Sequence, residues 1–168
     1  MLHNVPIARI LGFLFLGSVI LIGFVTYEGY RTSMGSLAAS AHIRFALFGI
    51  VVVLFTQTMT LFYFVGTGSR IKKVVQRYGL AASLVERTRR LKARLFPWLT
   101  FTPLVTMAAF IVGGGAHTHA LPRWMHALLA LIALAMNLIT AVVAVVCISD
   151  NIVLIEEIDA ALPETAAD

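Results

Sequence analysis

The chain has 168 residues, 60% of them hydrophobic and 12% charged, and its mean hydropathy is +0.91. Soluble domains carry roughly 25% charged residues, so this balance excludes an ordinary water-soluble domain and points to one compact unit in a membrane. A lone cysteine, Cys147, excludes an internal disulfide or a paired-thiol redox centre. The net charge of +5 is not read as a nucleic-acid footprint, because of where the charges lie along the chain.

Four apolar stretches follow one another, at about 7–27, 43–65, 98–116 and 125–149. Each approaches or exceeds the roughly 20 apolar residues that a helix needs to cross a hydrocarbon core of about 30 Å. The first is expected to be a retained span rather than a cleaved leader, because the small residues of "SLAAS" lie well beyond its apolar run. The expected fold is all-α, a single polytopic four-helix membrane domain over residues 1–168.

Nine of the 13 lysines and arginines fall between spans two and three: Arg70, Lys72, Lys73, Arg77, Arg87, Arg89, Arg90, Lys92 and Arg94. Positively charged loops stay on the cytoplasmic side. The termini are therefore expected inside a bacterial-type inner (plasma) membrane, and loops 28–42 and 117–124 outside. Within the basic loop 66–97, "SRIKKVVQRY" reads as an extension of span two ended near Gly79 and Leu80. Ser83 and Glu86 have capping-box spacing, followed by an amphipathic helix with Leu84, Val85, Leu91 and Leu95 on its apolar side. Such a helix is expected to lie among the lipid headgroups, with docking of a protein or an anionic lipid as the functional alternative. "GTGS" at 66–69 lacks the lysine spacing of a phosphate loop and reads as a flexible helix exit. The tail 150–168 holds six of the eight acids, namely Asp150, Glu156, Glu157, Asp159, Glu164 and Asp168, and is expected to continue span four as far as Pro163 and to face the basic loop.

In lipid, helices meet through small residues and buried polar groups rather than through hydrophobic drive. Span two carries such a stripe at His42, Ala46, Gly49, Val53, Thr56 and Thr60. Span three carries His117, Gly113, Ala109, Thr106 and Thr102, and span four His126, Ala130, Ala133, Asn137, Thr140, Ala144 and Cys147. Span one is less definite, with Gly12, Gly23 and Tyr27 on one side and Glu28 just past them. Each of the three clear stripes ends in a histidine at the outer side, so His42, His117 and His126 are expected to converge, with His119 and Glu28 close by. Pro103 is expected to kink span three.

Converging histidines from separate helices are how bundles build metal and haem sites. One expectation is a b-type haem held by His42 with His117 or His126, given room by Gly49 and Gly113, with Arg44, Arg123 or Arg31 pairing its propionates. Another is a zinc, copper or iron ion held by His42, His117, His119, His126 and Glu28. A third is a proton-handling cluster. Against these stands the plainer reading of interfacial histidines beside the belt residues Tyr27, Tyr30 and Trp124. Outward histidines on a four-span layout are similar in outline to the haem-bearing membrane subunits of respiratory complexes, and that likeness implies electron transfer with a quinone among the partners. The competing functions are a non-catalytic accessory or assembly subunit, binding other membrane subunits or its own copies, and a small transporter. Gln57, Thr56, Thr58, Thr60, Asn137 and Thr140 lie deeper and read as packing contacts first, a polar pathway second.

Overall fold

The computed structural model describes residues 5–35 and 38–163. They form four helices, α1 (Val5–Ser33), α2 (Ala39–Tyr78), α3 (Ser83–His117) and α4 (Arg123–Ala160), each long and apolar enough to cross a membrane. The protein is an all-α four-helix membrane bundle. Each helix packs against two neighbours, α1 and α3 both lying against α2 and α4. The outward faces carry large apolar side chains such as Phe13, Phe48, Phe62, Phe101, Ile111, Leu131 and Val142, as a lipid environment requires.

The helices differ in length, and this shapes the molecule. At 1.5 Å per residue, the 40 residues of α2 run about 60 Å, twice the hydrocarbon thickness. The basic segment is consequently not a loop with its own helix lying in the headgroups. α2 continues to Tyr78, ends at Gly79 (φ 64°), and α3 begins at Ser83 and runs unbroken through Pro97 and Pro103. The connection is only residues 79–82. The "GTGS" segment lies inside α2, not at its exit. The capping box does not form either. Ala82 is the N-cap, without a side-chain bond, and Glu86 turns to Arg89 and Arg90 instead.

Two apolar clusters follow from this geometry. One contains Ala8, Leu11 and Phe15 of α1 with Phe64, Leu95, Leu99, Ala144 and Cys147. The second contains Ile71, Val75, Leu84, Leu154, Ile155 and Ile158, from α2, α3 and α4 alone. The extension beyond the apolar spans is therefore a three-helix unit with a core of its own. Its charges pair in part across the seam, where Arg87 of α3 donates to Glu157 of α4, as expected for basic loop and acidic tail. Two of the tail acids, Glu164 and Asp168, lie outside the described residues.

Buried polar groups tie the spans together. Thr102 and Thr140 share a hydrogen bond of 2.7 Å between α3 and α4. Asn137 donates to Thr106 at 3.0 Å and to its own helix at the Ala133 carbonyl. Across the bundle, Asn151 donates to the Tyr63 hydroxyl at 3.1 Å. The threonines also return hydroxyl bonds to carbonyls one turn back, Thr60 to Thr56 and Thr106 to Thr102 among them. The stripes of α2 and α4 face inward as expected, with Thr56, Thr60, Ala133, Asn137, Thr140, Ala144 and Cys147 all buried. The inner face of α1 is Ala8, Leu11, Phe15, Ser18, Ile22 and Glu28, while Tyr27 faces outward.

Ile71 is 0% exposed and Phe62 67% exposed, one in the three-helix core and one on the lipid-facing surface. Emptying a buried aliphatic site costs about 2–5 kcal/mol. Ile71→Ala should therefore lower the unfolding midpoint clearly, and Phe62→Ala should leave it near that of the parent. Equal effects in a denaturing-detergent titration would contradict this assignment of inner and outer faces.

Candidate functional site at the histidine end

At the end of the bundle where α3 turns into α4, α2 contributes His42 and α4 contributes His126. Their ring centroids are 6.2 Å apart with the planes inclined at 67°. Each imidazole lies against a glycine. A Cβ on Gly113 would come within 2.8 Å of Cε1 of His126, and one on Gly29 within 3.0 Å of Cε1 of His42. Glycine at these positions is what lets the rings lie between the helices.

The two rings are held differently. Nδ1 of His126 lies 2.9 Å from the carbonyl oxygen of Ala109. A carbonyl only accepts, so Nδ1 is the donor in this bond and Nε2 is the nitrogen left outside it. Nδ1 of His42 is buried and, among the described residues, has no hydrogen-bond partner. Buried polar atoms in that condition are few in folded proteins and call for a specific explanation. Glu28 of α1 is also buried, within electrostatic reach of His42, and accepts from Arg31 at 3.5 Å. Two imidazoles and a carboxylate from three helices thus share one level of the bundle.

The third histidine does not join them. His117 ends α3 as an exposed residue, and its buried neighbour Ala116 takes the inward position. With about 100° per residue, 116 and 117 stand about equally far to either side of the face set by Thr102, Thr106 and Ala109, and the packing takes Ala116 inward and leaves His117 exposed. His119 is exposed in the turn, in a left-handed conformation (φ 60°). Arg44 and Arg123 are exposed, and none of the described ion pairs includes either of them. The room expected for a haem ring beside Gly49 and Gly113 is taken by Ile22 and Val25 at the first and by His126 at the second. Among the described residues, no group of three or more histidine, cysteine, aspartate or glutamate side chains is placed to hold a metal ion.

The triple glycine of "GGGAHTH" divides its work. Gly113 receives His126, and Gly115 receives Leu121, whose Cδ1 lies 2.8 Å from where a Cβ would stand. The amides of Ala120 and Leu121 both donate to the Gly115 carbonyl, closing the turn. Gly114 has open space beside it. What sequence reasoning missed was Gly29, because α1 shows no clear stripe and its contact is with an imidazole rather than a helix backbone.

Comparison with protein families, with characterised proteins and with solved structures finds no match to this chain.

Gly113→Val should push the imidazole of His126 off the Ala109 carbonyl, whereas Gly114→Ala should not. Imidazole nitrogen NMR of the purified protein reads this directly. The parent and Gly114→Ala should show the Nδ1-protonated tautomer of His126, and Gly113→Val a mixture. A mixture in the parent would contradict the bond.

Proposed function

We propose that this chain is a membrane protein that holds one transition-metal ion at its histidine end through His42 and His126, with Glu28 as the neighbouring carboxylate. The observation that carries the reading is the pair itself. A metal–nitrogen bond of about 2.0–2.1 Å puts an imidazole centroid about 3.2 Å from the ion, so two rings on one ion lie roughly 5–6.4 Å apart. The separation of 6.2 Å lies at the wide end of that interval and corresponds to an open N–metal–N angle of about 150°. Metal-ligating histidines commonly donate their other ring N–H to a backbone carbonyl, which fixes the tautomer, and His126 makes that bond to Ala109. The partnerless Nδ1 of His42 supplies the second donor atom.

An ion is favoured over a haem, since the glycine spaces are filled by side chains rather than left for a flat ring. Imidazole ligands suit zinc, copper, iron and nickel. With two protein nitrogens, the remaining coordination positions would be completed by solvent or by a partner's ligand. With copper or iron the site would exchange electrons, consistent with a redox subunit and an electron carrier at the same face. The concentration of cations at the opposite end supports an orientation with that end and both termini in the cytoplasm of a bacterial inner membrane, and the histidines outside.

Plasma mass spectrometry of the protein purified without chelators tests the reading. About one copper, iron or zinc per chain is expected. His42→Ala and His126→Ala should each reduce it at least tenfold, and His117→Ala and His119→Ala should retain it. No stoichiometric metal in the parent, or equal retention by all four variants, would overturn the pair as a metal site.

A further inference from the structure

The opposite end of the molecule carries a second arrangement, on the seam between α2 and α3. Lys92 of α3 lies flat across α2 at Gly68. A Cβ there would stand 2.3 Å from its Nζ and 2.7 Å from its Cε, and 3.0 Å from Cγ2 of Thr88. With glycine at 68, the end of the lysine side chain lies directly against the α2 backbone. The side chain is half-buried, yet none of the described hydrogen bonds or ion pairs includes it. A half-buried ammonium without a carboxylate is an expensive arrangement unless an anion reaches it.

One turn further along α2, Lys72 marks the start of an open groove of about 510 Å³ that has Val75 and Val85 among its lining residues. The same groove holds Glu86, which Arg89 and Arg90 engage. Lys72, like Lys92, has no such partner among the described ion pairs. The α3–α4 seam contrasts with this, since there Arg87 meets Glu157. Lys72 and Lys92 on the α2–α3 side are thus left without an acid among the described ion pairs.

Depth identifies the occupant. Lys92 stands six residues before Trp98, where the apolar span of α3 begins, which is about 9 Å along the helix. The polar zone on each side of a bilayer is roughly 5–8 Å deep, and a lysine side chain reaches the phosphate level from just beyond it. We propose that the α2–α3 seam seats the phosphate of an anionic phospholipid against Lys92 and Lys72, with the acyl chains running along the apolar surface of the spans.

The experiment is native mass spectrometry of the full-length protein in detergent, titrated with phosphatidylglycerol or phosphatidylcholine. Retained phosphatidylglycerol at several-fold lower concentration than phosphatidylcholine is expected, weakening as salt rises. Lys92→Met and Lys72→Gln should each weaken it about fivefold, the effect of one cation near a charged membrane surface, and Arg87→Gln should not. Lys72 is exposed, so its variant reads the site even where Lys92→Met fails to fold. Equal binding of the two lipids, an unaltered Lys72→Gln variant, or the same loss in Arg87→Gln would overturn the proposal. So would displacement of the lipid by an acidic peptide at equal concentration, which would mark the seam as a protein-docking surface.

Discussion

Inside a bilayer a polar side chain left unpaired between helices is costly, and the hydrophobic effect does not press helices together. The α3–α4 seam is where this chain meets that constraint. Thr102 with Thr140, Asn137 with Thr106 and His126 with the Ala109 carbonyl form a ladder of hydrogen bonds along one interface. Each rung spends a polar group of one helix on the other, so the register between α3 and α4 is fixed along most of the spans. His126 is the last rung. Its ring sits where it does because the register brings Gly113 opposite it, and the position of α2 then decides how near His42 comes.

The same ladder separates the two ends of the molecule. Towards the histidine end, Gly113 and Gly29 leave room for the imidazoles. Towards the basic end the polar contacts pass to Asn151 and Tyr63 and then give way to the apolar core around Ile71 and Ile158. Not all of the interior is paired. The buried Oγ1 of Thr56, Oε1 of Gln57 and Oδ1 of Asn151 have no partner among the described residues.

Much of this is legible in the sequence, for identifiable reasons. The spans follow from composition, and the inner faces of α2 and α4 follow from threonine, asparagine and alanine at spacings of three and four. That pattern survives because polar groups in lipid have few other places to go. His42 and His126 are correctly brought together on that basis. His117 is not, since at about 100° per residue 116 and 117 stand about 50° to either side of the stripe, so the sequence period does not choose between them, and the packing takes Ala116 inward. The face of α1 was not legible because it is mostly apolar inside and out, so Phe15 and Phe13 look alike in sequence although one is buried and the other exposed. The length of α3 was concealed for a different reason. Arginines and prolines mark the end of a span, not the end of a helix, and Leu84, Thr88, Leu95 and Leu99 continue one buried face across that boundary.

The claim on which the functional account rests is that imidazoles from α2 and α4 share one ion. Electron paramagnetic resonance of the protein loaded with one Cu(II) per chain reads the number of bound nitrogens from their superhyperfine splitting. The account predicts a pattern of two equivalent or near-equivalent nitrogens, reduced to one in either His42→Ala or His126→Ala. A spectrum without protein nitrogen, or a two-nitrogen spectrum that survives both substitutions, would contradict it.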